Sequence, residues 1–123
     1  MSTQKIPREE WVKFFDDFSK KHMGWITSIE LMGRKIGDQE ETSGLPLVGI
    51  SADLKDREHR IEIGVGGQPD SNFTHIINSP KAVEVRAAAG GLEALEVTSS
   101  DGTTTLVTFR YVPAEQTERQ LPE

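Results

Sequence analysis

The stretch "GDQEET", residues 37–42, places Asp38, Glu40 and Glu41 within six positions. Carboxylates at such spacing serve as oxygen donors in calcium loops. Those loops follow D-x-[DN]-x-[DN]-G with a distant glutamate, and only the Asp38/Glu40 spacing is met here. Solvation alone also selects Asp, Glu, Gln, Thr, Ser and Gly in an exposed connection, and Arg34 and Lys35 stand nearby as ion-pair partners. The stretch therefore reads as a hydrated loop between two strands, with docking of a cation or basic partner as the alternative.

Three histidines could supply a general base or an imidazole ligand. His22, His59 and His75 fall on different elements, and no two show a ligand spacing such as H-x-x-x-H. His22 shares the angular stripe of the aromatic residues before it and reads as a partly buried residue at a helix end. His59 opens a strand beside a charged turn and reads as exposed. His75 lies in "THIINSP", an otherwise apolar strand, two residues from Phe73 and Ile77 and close to Asn78 and Ser79. It reads as a hydrogen-bonded structural histidine, because buried polar groups find partners. An acid–base or metal-assisted enzyme would have to bring His75 to Glu40 or Glu41 in one pocket.

Other motifs fail on context. "GVGG" at residues 64–67 is followed by a turn and not by the helix that would hold a phosphate. "GISAD" at 49–53 is no nucleophile elbow. No secretory signal is expected, so the sequon Asn72-Phe73-Thr74 reads as without consequence. No cysteine is present, which removes disulfides, zinc-thiolate sites and thiol nucleophiles. These residues suggest no catalytic group, metal or cofactor.

The elements that position these residues begin with a helix, expected from about Pro7 to His22. Trp11, Phe14, Phe15 and Phe18 recur at i, i+3, i+4 and i+7, which gathers four rings on one stripe. Lys13, Asp16, Asp17 and Lys20 fall on the other face. Pro7 suits the first turn, Glu9 and Glu10 complement the positive end of the dipole, and Gly24 supplies a left-handed stop. From Trp25 the period becomes 2. Strands are expected at "WITSIELMG" (25–33), "LPLVGISADL" (45–54), "HRIEIGVG" (59–66), "FTHIINS" (73–79), "AVEVRAA" (82–88), "LEVTSS" (95–100) and "TTTLVTFRYV" (103–112). Ser79-Pro80 and Gly90-Gly91 read as ordinary turns. Asp101-Gly102 reads as a two-residue hairpin loop.

The 123 residues and net charge of −6 suit one domain over 6–112, with a frayed tail at 113–123. The fold class expected is α+β, mainly β: an N-terminal helix packed on a strongly bent antiparallel sheet or small barrel of about six to seven strands in meander order. The acidic balance repels phosphate backbones, so nucleic acid is not an expected partner, and an RNA-binding barrel is the outsider. No apolar run approaches the ~20 residues of a membrane helix, so a membrane is not expected either. A cytoplasmic location is expected.

In joint order, "IPREEWVKFFDDFSKKHMGW", "GDQEE", "LPLVGIS", "THIINSPKAVEV" and "EALEVTSSDGTTTLVTF" resemble a family of small bacterial cytoplasmic proteins of unknown function. The likeness runs over nearly all of residues 6–110. It implies a stand-alone bacterial domain and brings no activity, cofactor or catalytic residue to carry over. The function expected is a non-enzymatic binding or regulatory domain for a protein partner or small ligand, with Asp38, Glu40, Glu41, His75 and Asn78 as candidate contacts. A homodimer through an exposed sheet edge is part of that expectation.

Overall fold

The computed structural model describes residues 2–33, 37–55, 59–66, 72–88 and 92–111. Strand β1 (Ser2–Ile6) leads through a 3-10 turn at Arg8–Glu10 into α1 (Trp11–His22), followed by β2 (Ile26–Gly33) and β3 (Gly37–Asp53). Then come β4 (Arg60–Val65), β5 (Phe73–Asn78), β6 (Pro80–Ala88), β7 (Leu92–Ser99) and β8 (Thr104–Arg110). All eight strands form one antiparallel sheet in the order β1-β6-β7-β8-β2-β3-β4-β5.

The helix forms where its aromatic stripe requires it. Trp11, Phe15 and Phe18 are buried, Trp11 to 1% exposure, while Lys13, Asp16, Asp17 and Lys20 face solvent. Burying the three rings contributes roughly 2–3 kcal/mol each in gross transfer energy. Phe14 sits about 60° around the helix from Trp11 and is only half-buried. Gly24, at φ +87°, turns the chain out of the helix as its position suggests.

Helix α1 packs chiefly on β3. Ser19 fixes the contact: its hydroxyl oxygen accepts the Ile50 N–H at 2.7 Å, and its single proton is shared between the Phe15 carbonyl at 2.7 Å and the Ile50 carbonyl at 2.9 Å. Beneath the helix the core takes Leu47 and Ile50 from β3, Ile61, Ile63 and Val65 from β4, and Ile77 from β5. Ile29 from β2 and Val83, Leu95, Val97, Val107 and Phe109 from β6, β7 and β8 join it, with Phe18 meeting Phe109 edge-on at 5.0 Å between ring centres.

The sheet is strongly curled without closing into a barrel, and one residue shows why. β5 ends the sheet order at one side and β6 lies next to the other end, yet only Ser79 separates them. The Ser79 N–H donates to the His59 carbonyl at 3.0 Å, and its own carbonyl accepts the Ser100 N–H at 2.9 Å. The two ends of the ribbon therefore meet at Ser79. Its φ of +51° is the only positive value at a described residue other than glycine. Arg8 braces this corner from the helix start: it bonds His59 Nδ1, donates to the Pro80 carbonyl at 3.2 Å, and lies 4.7 Å from the centre of the Trp11 ring.

Several sequence expectations change here. Ser79-Pro80 is a corner between sheet ends and not an ordinary turn. The strands form two meanders, β2 to β5 and β6 to β8, joined where β2 pairs with β8. Eight strands replace the six to seven expected, because β1 pairs with β6 although "STQKI" buries a single apolar residue, Ile6. Residues 37–42, read as a loop, are the start of the 17-residue β3, with Glu40 opposite Glu30 and Asp38 opposite Met32. A hairpin arm can have the composition of a loop, and only the pairing with β2 makes it a strand. The β7–β8 hairpin is present, but positive φ occurs at Gly102 alone, φ +91°, and the Gly102 N–H donates to the Ser99 carbonyl at 3.0 Å. Ser100 and Asp101 thus form an ordinary turn that Gly102 closes as a bulge, where a two-residue loop of the mirror type needs positive φ at both centres.

Candidate functional site

Where α1 leaves the sheet, a cleft of about 440 Å³ opens beside β1, β6 and β7. Phe14, Phe18 and Val85 supply its apolar wall, and Asp17, Lys21, His22 and Glu93 its polar rim. Helical spacing brings Phe14, Asp17, Phe18, Lys21 and His22 to one side of α1, since positions three and four apart are neighbours. Glu93 comes from β7 on the far side.

His22 organises the cleft. It is 6% exposed, lies parallel to the Phe18 ring at 3.8 Å, and meets the Trp25 ring edge-on at 4.4 Å. Its Nδ1–H donates to the Phe18 carbonyl at 2.9 Å, and its Nε2 lies 3.1 Å from Glu93 Oε2. A carbonyl only accepts, so Nδ1 carries a proton, and Nε2 is taken up by Glu93. Both ring nitrogens are committed to the protein, which leaves no imidazole lone pair for a substrate. Glu93, at 27% side-chain exposure, is the member of the pair that reaches the opening.

The residues singled out in the sequence lie elsewhere. Asp38, Glu40 and Glu41 fall on the first arm of β3, and their side chains lie outside the described residues. The joining of His75 to Glu40 or Glu41 falls outside them as well. His75 and Asn78 lie on β5, at the opposite end of the strand order from the β1, β6 and β7 that flank the cleft. His75 alternates in phase with Phe73 and buried Ile77, half-buried, its ring nearly parallel to that of Phe73 at 6.5 Å. Asn78 is exposed opposite Arg60. His59, expected to be exposed, is half-buried against Arg8. Among the described residues, no group of three or more His, Asp or Glu side chains is placed to hold a metal ion, and no helix is long and apolar enough to cross a membrane.

Glu93 has no sequence signal, because 71 positions separate it from His22 and no motif links them. His22 itself carried one, its place on the aromatic stripe.

The fold and cleft define an α+β protein with one helix clamped onto a curled, open antiparallel sheet, and a polar-rimmed cleft at the helix end. The chain belongs to the family of unknown function DUF5335, whose model matches residues 2–118. It is also similar to an uncharacterized protein of Aquifex aeolicus (strain VF5), 32% identical over 123 residues and covering 100% of both chains. No solved structure matches it.

Proposed function

We propose that the protein is a non-enzymatic binding domain that takes a small ligand in the cleft between α1 and β7. The observation that carries this reading is the His22–Glu93 pair. With both imidazole nitrogens held by protein groups, the ring fixes a carboxylate in place and is not free to shuttle protons. A volume of about 440 Å³ lies in the range of small-molecule sites, and a few polar groups over an apolar wall are what such sites use for orientation. Asp17 and Glu93 can accept hydrogen bonds from an ammonium group beside Lys21, while Phe14, Phe18 and Val85 favour an apolar body.

Benzylamine and benzoate, equal in size and opposite in charge, test this by NMR titration of the labelled protein. Benzylamine is expected to shift the amides of Phe14, Phe18, Lys21 and Glu93, and Glu93→Gln is expected to weaken its binding about tenfold, in line with the loss of one charge-assisted hydrogen bond. Absence of cleft shifts with both probes, or shifts unchanged in Glu93→Gln, would overturn the reading.

A further inference from the structure

We infer that β5 is a self-association edge, along which two copies of this chain pair antiparallel about a two-fold axis at Ile76. β5 ends the sheet order, and among the described strands it pairs with β4 alone. The direction of its backbone groups follows from two bonds. The Ser79 N–H donates to His59 in the β4 register, and the Gly66 N–H donates to the Pro46 carbonyl on the β3 side. In an antiparallel ladder such directions alternate residue by residue. Phe73, His75 and Ile77 therefore turn their N–H and C=O toward β4, and Thr74, Ile76 and Asn78 turn theirs to the open edge.

Charge selects a second copy as the occupant. Each copy carries a net charge of −6, so association needs a seam that adds no repulsion. β5, "FTHIIN", is the only one of the eight strands without an Asp, Glu, Lys or Arg. Exposed edge strands ordinarily carry such charges, a proline or a bulge as protection, and β5 has none of these. The edge at the other end, β1, does carry Lys5. Ile76 is 45% exposed on the outer face of β5.

Centring the axis on Ile76 sets it opposite the partner's Ile76, and Thr74 opposite the partner's Asn78. Every outward N–H and C=O on the seam then meets its complement, with an apolar pair in the middle and polar pairs at the ends. Moving the axis to His75 would oppose two imidazoles and leave Ile76 against a threonine. A seam of one strand per copy falls short of the ~1,600 Å² of a standard interface, so a concentration-dependent dimer is expected.

Sedimentation velocity from micromolar to millimolar protein tests the inference, alongside amide hydrogen exchange at both ends of that range. The wild type is expected to pass from monomer to dimer. Ile76→Lys and Ile76→Glu, each opposing like charges across the axis, are expected to stay monomeric with unchanged circular dichroism. The amides of Thr74, Ile76 and Asn78 are expected to exchange about tenfold more slowly at high concentration. The exchange measurement needs no variant and so stands if either substitution impairs folding. A wild type monomeric throughout, a dimer indifferent to the folded variants, or protection that omits these three amides would overturn the inference.

Discussion

Ser19 shows how much one hydroxyl can hold. It sits on the sheet-facing side of α1 and satisfies the Ile50 N–H of β3, a backbone donor inside the helix–sheet contact. Ser19→Ala leaves that donor without its acceptor, and an unsatisfied part-buried N–H costs about 1–3 kcal/mol. Urea unfolding followed by tryptophan fluorescence should show a loss of that size, with an unchanged slope against denaturant. His22 makes the same point with two atoms. His22→Leu keeps the apolar bulk against Phe18 and Trp25 but strips Glu93 of its partner, so about 1–3 kcal/mol of stability should be lost. Glu93→Gln in the same background should then cost less than it does in the wild type, a coupling that a double-mutant cycle would read.

Among the elements, the corner at Ser79 decides the course of the sheet. A left-handed backbone is strained for most residues, and more so for β-branched ones. Ser79→Gly exchanges that strain for a more flexible unfolded chain, so stability should stay within about 0.5 kcal/mol of the wild type. Ser79→Val should lose about 1–3 kcal/mol, because the strain rises and the corner cannot move. Thermal melts of the two variants, run together, separate these outcomes. The contrast would not arise if residue 79 lay in an ordinary turn free to change conformation. β1 shows the other side of element-level reading: its polar residues concealed a strand, and only Ile6, buried beside Trp11 and accepting the Trp11 indole N–H at 2.8 Å through its carbonyl, ties it to the core.

At the scale of the whole molecule, the pairings that define the curl join distant parts of the chain: β1 with β6, and β2 with β8. Closing such long loops precedes any gain from the contacts they allow, so refolding should take milliseconds to seconds, not microseconds. Stopped-flow fluorescence would check this, since Trp11 is buried at the helix–sheet junction and reports its assembly. Refolding complete within microseconds would overturn this expectation.

Much of this arrangement was legible in the residues. The aromatic stripe located α1 to within a few positions, the period-2 run at 59–66 located β4, and Asp101-Gly102 marked the β7–β8 hairpin. These features depend on neighbours along the chain, and periodicity reports neighbours directly. Tertiary structure alone decided that the acidic run at 37–42 pairs as a strand, that Ser79 joins the two sheet ends, and that His22 meets Glu93. Those outcomes depend on which distant segments must come together to bury the rings of α1, and no local pattern carries that information.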